Sequence, residues 1–395
     1  MFPMHLIAIC PEELTGLVAE ELKDFGADDI RIKFKAVHFQ VSSYEDYLRA
    51  HLYLKIPSRL LRVVAQLKAT HFDVLKKGAS EIPWEDYFRS QSSFRIEGVP
   101  AHRGAKLMKA NDISRAVREA IQGYYRESKF SSKEPKVDIH EPQVELVAFV
   151  ENNHCTLSID SSKKSLHKRG YRREDHPAPI KETLAAAILR VVGYDGSKVF
   201  FDPMCGSGTL AIEAAFVALD KSPLIHRKKG EFGFEWLNDF DNGIWRKVQD
   251  ETRKEKKTAP QKMIFASDVS KKFVEATKKN ALNARVEKFM TTSCQDFFEA
   301  QAPAHEGVLV CNLPYGERIS SDHEMSDFYK KIGDKLKLDY KGWQAWLLVS
   351  AETPYKKIGL HPSKKVTLLN GGVPVKLLKF ELYDGSKKAS KSKQH

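Results

Sequence analysis

Apolar residues recur along this chain at two periods, and the way the periods alternate divides it into parts. Leu6 to Ile9 is a short apolar run that predicts a strand. Leu14, Leu17, Val18, Leu22 and Phe25 follow at helical spacing, with Gly26 placed to stop the helix. Ile30–Phe34 and Val37–Val41 alternate as half-buried strands do, and Ser42-Ser43 precedes a second helix over Tyr44–Leu54. These elements predict a small α+β unit over residues 1–65. A second unit is expected over 66–160. There Ser93–Gly98 alternates, Asn111-Asp112 caps a helix from Ile113 to about Tyr125, and Lys136–Ile139 reads as a strand. Val144–Val150 and Cys155–Ile159 read as a hairpin turning at Asn152-Asn153.

After a basic connector, Lys163–His176, the pattern lengthens into strand–helix alternation over 161–385. Strands are predicted at Lys198–Asp202, Met263–Asp268, Met290–Cys294, Gly307–Asn312, Ala345–Ser350 and Lys376–Tyr383. That order predicts an α/β domain with an open, mostly parallel sheet and helices on both faces. Asp202 and Asp268, which end the first two strands, lie 66 residues apart, whereas a simple strand–helix–strand unit takes roughly 30. An insertion is therefore expected over about 222–261. It carries Phe232, Phe234, Trp236 and Trp245 among lysines and arginines. Such aromatics can stack bases or form the insertion's own small core, and the second is expected for most of them.

Charge sharpens the picture. The formal net charge is +12, and four lysines with no acid fall in Ser386–His395, a tail expected to be disordered. Arg89, Arg95, Arg103, Lys106, Lys109, Arg115 and Arg118 recur through the second unit, which favours a polyanionic partner. No apolar run approaches the roughly 20 residues that span a bilayer. Met1–Cys10 runs into Pro11-Glu12-Glu13 without a basic flank, so it is expected to be a strand and not a leader, and the expected location is cytoplasmic. Cys10, Cys155, Cys205, Cys294 and Cys311 show no metal-type pairing, so neither a metal nor a disulfide framework is expected.

Four segments carry candidate chemistry. Val199 to Asp202 leads into Pro203-Met204-Cys205-Gly206-Ser207-Gly208-Thr209, an apolar strand ending in an acid and turning through glycines into a helix. The glycines allow a tight turn and close approach to a ligand. No lysine follows the last glycine, as a phosphate loop requires. The acid would repel a pyrophosphate but accept hydrogen bonds from a cationic amino-acid moiety, which favours S-adenosylmethionine over NAD or ATP. Asp268 ends the next strand, placed for ribose hydroxyls, and Asp296 follows the third, placed for an adenine amino group. The fourth segment is Asn312-Leu313-Pro314-Tyr315-Gly316. An amino group on a base has its lone pair drawn into the ring. The Asn312 side-chain oxygen and the Leu313 carbonyl can hold its hydrogens, Pro314 stiffens the turn, and Tyr315 offers a ring for an extracted base. Cys205 and Cys311 read as buried small residues and not nucleophiles, which sets aside cytosine C5 chemistry.

Leu166–Arg172, Ala178–Leu184, Asp202–Thr209 and Asn312–Arg318 together resemble the THUMP-containing RNA guanine-N2 methyltransferases, closest to the bacterial 23S ribosomal RNA branch. The resemblance covers nearly the whole chain. It implies a ferredoxin-like unit, a THUMP unit for structured RNA, and a Rossmann-like domain with S-adenosylmethionine as methyl donor. By that resemblance Ala178, Pro179 and Thr183 enclose the cofactor. Asp202, Cys205, Gly206 and Gly208, with Pro203, Ser207 and Thr209 of the same turn, line its methionine end. Asp268 takes the ribose and Asp296 the adenine, and Val269 and Asn312 also bind the cofactor. Asn312, Leu313, Pro314 and Tyr315 hold the target amine, while Arg169, Tyr171 and Arg172 meet the substrate. The chain departs from the family at Leu313, where proline is usual. Alternatives are a transfer RNA guanine, a DNA adenine or a protein glutamine as methyl acceptor, or an RNA-binding assembly factor without catalysis. The basic residues that recur over 89–118 speak against a protein substrate.

Overall fold

The computed structural model describes residues 3–101, 109–127, 133–173, 180–254, 263–314 and 322–383. The chain forms two compact units, Met1–Leu166 with Arg227–Glu251, and His167–His226 with Thr252–His395. No described helix is long and apolar enough to cross a membrane. The tail 386–395 lies outside the described residues.

The first unit runs β1 (Met4–Ile9), α1 (Thr15–Phe25), β2 (Asp28–Lys33), β3 (Ala36–Val41), α2 (Tyr44–Tyr53), β4 (Arg59–Lys68), α3 (Phe72–Ser80), β5 (Ser93–Pro100), α4 (Ala110–Glu127), β6 (Lys136–Val137), β7 (Val144–Glu151) and β8 (His154–Asp160). α1 stops at Gly26, whose φ of 86° is open to glycine at little cost. All eight strands join one sheet in the order β2-β3-β1-β4-β8-β7-β5-β6. β4 pairs with β1 on one side and β8 on the other, and it runs through residue 65. The two α+β units expected from the sequence therefore share a sheet, and the strand between them belongs to both.

In the second unit α5 (Glu182–Val192), β9 (Phe200–Asp202) and α6 (Thr209–Ala218) come first. The chain then leaves for the insertion, which holds α7 (Asn242–Arg253). It continues through β10 (Ile264–Asp268), α8 (Lys271–Ala284), β11 (Met290–Cys294), β12 (Gly307–Asn312), α9 (Asp322–Asp339), β13 (Trp343–Ser350), β14 (Lys364–Asn370) and β15 (Val373–Glu381). The sheet order is β11-β10-β9-β12-β13-β15-β14. β9 to β13 are parallel, while β15 runs antiparallel to both β13 and β14. Strand order reverses between β9 and β12, and open α/β sheets bind ligands beyond the strand ends at such a point.

Most of the insertion folds with the first unit. Phe232, Phe234 and Trp245 are buried and form an aromatic core with Tyr47 and His51 of α2. Phe234 lies 4.8 Å from His51 and 5.0 Å from Trp245, centroid to centroid. Burial holds His51 neutral, its pKa lowered to about 3. Gly233 is required here, because a Cβ would sit 2.1 Å from the Asp160 carbonyl oxygen. The aromatics are thus core, as expected, but the core is shared with α2 and is not the insertion's own. Trp236 is the exception: it is 37% exposed, with the Lys163 ammonium 4.5 Å from its ring centroid. A fragment starting near Ser161 loses Tyr47 and His51 and uncovers Phe232, Phe234 and Trp245. It is expected to bind a hydrophobic dye and aggregate, with light scattering as the check. A monodisperse fragment would show that the insertion's core stands without α2.

Candidate active site

Four strands of the second unit, β9 to β12, bring their ends to one cavity of about 530 Å³. Its walls include Asp202, Pro203, Cys205, Gly206, Ser207 and Thr209 after β9, Asp268 and Val269 after β10, and Asp296 after β11. Asn312 and Pro314 close it after β12. Of the residues singled out from the sequence, Gly208 stands behind the loop. It precedes α6 at φ +85°, where a Cβ would lie 2.7 Å from the Thr277 methyl carbon. Thr183 is buried in α5 and is not among the residues that line the cavity. Ala178, Pro179 and Tyr315 lie outside the described residues.

The glycine loop is braced from two sides. Asp268 accepts the Gly206 N–H on one carboxylate oxygen at 3.0 Å and the Ser270 N–H on the other at 2.9 Å. Thr277 Oγ1 donates to the Gly206 carbonyl at 2.8 Å, and Asn280 Nδ2 donates to the Ser207 carbonyl at 3.1 Å, both from α8. Each carboxylate oxygen of Asp268 keeps acceptor capacity for a ligand hydroxyl. Asp296 accepts the Phe298 N–H at 2.9 Å, which fixes its carboxylate at the rim.

Asp202 is the electrostatic centre. It is buried, and that burial, aided by the nearby Asp268 charge, pushes its pKa up to about 8 against the Met204 N–H that it accepts. A buried carboxylate short of donors favours a cationic ligand group, which restores its ionised form. Burial and the neighbouring Asp202 also raise the thiols of Cys205 and Cys311 well above their ordinary value, the opposite of the lowered thiol that a reactive cysteine needs.

The Asn312 Oδ1 atom is buried and has no hydrogen-bond partner among the described residues. Buried side-chain acceptors are normally paired, so this oxygen marks where a donor belongs. Leu313 is buried among Tyr329, Ile332 and Leu347, and its N–H donates to the Leu348 carbonyl at 3.1 Å. Proline could not make that bond. The departure at this position extends the β12–β13 ladder by one rung, so it ties the turn down instead of loosening it.

Arg169 and Tyr171 are not at a surface. Both are buried, Arg169 pairs with Glu213 of α6 at 3.4 Å, and the Tyr171 hydroxyl donates to the same carboxylate at 3.2 Å. Arg172 donates to the Ile180 carbonyl and to Thr209 Oγ1, each at 2.8 Å, and pairs with Glu182 at 3.4 Å. Ile180 and Thr209 both line the cavity, so Arg172 clasps two of its walls. The expectation that Arg169 and Tyr171 meet the substrate is revised: they seat the connector on α6, while Arg172 ties it to α5 and the start of α6. The sequence reading missed the cavity's apolar wall, Ile180, Met204, Leu210, Phe273, Phe297, Phe298 and Phe328. Phe297-Phe298 directly after Asp296 was the available signal.

Numbered within this unit, the strand order is 3-2-1-4-5-7-6, and with a cavity at the switch point it defines a Rossmann-like S-adenosylmethionine-dependent methyltransferase. Residues 169–379 match the RMKL-like methyltransferase domain, and the chain belongs to that family. Residues 69–160 match the THUMP domain and residues 5–61 the RlmL ferredoxin-like domain. A Synechocystis sp. protein named "Putative RNA methyltransferase slr0064" is 32% identical over 370 residues, which cover 94% of each chain. The ribosomal RNA large subunit methyltransferase K/L of Syntrophotalea carbinolica is 32% identical over 96% of this chain but only 54% of its own length. The chain thus spans about half of the K/L relatives it matches. The crystal structure of SMU.472 in complex with SAH superposes with TM-score 0.85 at 27% identity, covering 98% of this chain and 100% of that one.

Proposed function

We propose that this protein transfers a methyl group from S-adenosylmethionine to the exocyclic amino group of a guanine in structured RNA, with large-subunit ribosomal RNA as the substrate and N2-methylguanosine as the product. The observation that carries this reading is the unpartnered, buried Asn312 oxygen in the lining of a cavity that also holds the buried Asp202 carboxylate. The cavity residues suit the cofactor: Asp202 for the cationic methionine end, Asp268 for the ribose and Asp296 for the adenine amino group. The bound cofactor supplies a methyl already activated on a sulfonium. What the chain must add is position. Asn312 Oδ1 accepts one N–H of the target amine and the Leu313 carbonyl the other, which aims the nitrogen lone pair at the methyl. Asn312 is no base, so the proton released on transfer passes to water. One extracted base carries little information about its surroundings, so the THUMP region selects the RNA, mostly through phosphates and shape.

The test is a comparison of the nucleosides of large-subunit ribosomal RNA from cells with and without the gene. Loss of one N2-methylguanosine, restored by the intact gene and not by Asn312→Ala, is the expected result. An unchanged N2-methylguanosine content with another methylated nucleoside missing would reassign the substrate.

A further inference from the structure

The rim of the sheet carries a second group of side chains beyond the cavity. Asn312 of β12 pairs with Leu348 of β13, and Leu348 with Leu377 of β15. The next pair out is Val349 with Lys376. Lys376 therefore stands two strands across from the Asn312–Pro314 turn, roughly 10 Å at about 4.8 Å per strand. Its ammonium donates to the Tyr355 hydroxyl at 3.0 Å and lies 4.8 Å from that ring's centroid.

Tyr355 is held rigidly relative to the cavity. It begins a short 3-10 turn, Tyr355–Ile358, whose Ile358 is buried in one cluster with Tyr329, Ile332 and Leu336 of α9. The packing is close: a Cβ on Gly333 of α9 would overlap the Ile358 carbonyl. Phe328 of the same helix packs against that cluster and lines the cavity. The Tyr355 hydroxyl titrates below its ordinary value, first through the Lys376 hydrogen bond and then through the charges of Lys376, Lys365 and Lys356. Lys356 and Lys365 are exposed, and among the described residues none of the three lysines forms an ion pair, whereas Lys379 on β15 pairs with Glu381. Three unpaired cations gathered on one rim repel one another, and a polyanion across them relieves that repulsion.

We propose that Lys356, Lys365 and Lys376, steadied by Tyr355, form a phosphate cradle for the RNA strand flanking the target nucleotide. The proposal rests on RNA being the methyl acceptor. A base drawn out of its stack into the cavity leaves its neighbouring phosphates at the rim, where these ammonium groups stand. Phosphate contacts of this kind set the register of the strand without reading its sequence.

The experiment uses the full chain with S-adenosylmethionine and deproteinised ribosomal RNA from cells lacking the gene. It compares wild type, Lys365→Ala/Lys376→Ala, Tyr355→Phe, and Lys198→Ala as a control at the opposite end of the strands. The double variant is expected to raise the KM for RNA about tenfold and to lower the log–log salt dependence of RNA binding by about 0.7 per lysine. Its kcat at saturating RNA and its cofactor affinity should match wild type. Tyr355→Phe, which frees the Lys376 ammonium, should raise the KM by less. A double variant indistinguishable from Lys198→Ala in KM and salt slope overturns the cradle while leaving the methyltransferase reading intact. A wild-type protein that methylates no RNA overturns that reading, and the cradle with it.

Discussion

Asn312→Ala is expected to lower the rate of methyl transfer by on the order of 10²–10³, the size of effect seen when one preorganised polar group is removed from a reaction centre. The expectation follows from what Asn312 is not doing in the fold. Its Oδ1 is buried without a partner among the described residues, so no internal hydrogen bond is lost on truncation. Removing an unsatisfied acceptor relieves a desolvation cost, and thermal stability should hold or rise slightly. Cofactor affinity should stay within a few-fold, because Asn312 is only one wall of the cavity. The measurements are single-turnover rates with saturating RNA and calorimetric titration of the cofactor. A variant that loses rate and cofactor affinity together would show that Asn312 builds the cofactor site and does not address the target amine.

Asp202→Asn is expected to have opposite effects on the free and the bound protein. The folded-state pKa is about 8, with burial as the main cause, against an ordinary value near 4. Sign follows from proton uptake: between those values the folded state holds a proton that the unfolded chain has released. The stability contribution of Asp202 is therefore fully present below about pH 4 and is lost as pH rises through about 8. Asparagine does not ionise, so the variant should melt higher than wild type by a margin that widens from pH 5 to pH 8. Cofactor binding should weaken, since hydrogen bonds to a charged acceptor are worth about 1.5–3 kcal/mol each, or roughly tenfold or more in Kd. Wild-type binding near pH 7 should also release a proton as the cationic ligand draws Asp202 into its charged form. Calorimetry in buffers of different ionisation enthalpy reads that release, and binding without proton release would contradict the role given to Asp202.

Much of this was legible in the sequence, for identifiable reasons. Asp202, Asp268 and Asn312 each end an apolar run, and parallel strands bring such ends to one edge. β14 was not recognised, although Asn370-Gly371-Gly372 is a hairpin turn signal, with both glycines at positive φ. Its Lys364-Lys365 start and largely exposed face obscured the alternation. The fate of the insertion was not legible either. Periodicity reports that Phe232, Phe234 and Trp245 have an inward face, but not that α2 supplies the other half. Arg169 and Tyr171 were misread because basic and phenolic residues in a polar connector usually face solvent. The missed clue was Glu213, a lone acid in α6 among residues that are otherwise almost all buried and apolar. Such an acid needs partners, and Arg169 and Tyr171 are among them.

The central claim is that the strand ends of the second unit form one site that methylates a guanine amino group in RNA. Its most direct test incubates the purified protein with S-adenosylmethionine carrying a labelled methyl group and ribosomal RNA from cells lacking the gene. The RNA is then digested to nucleosides for mass spectrometry. The label should appear in N2-methylguanosine with wild-type protein and be absent with Asn312→Ala. Label in another nucleoside, or label in N2-methylguanosine undiminished by Asn312→Ala, would contradict the claim.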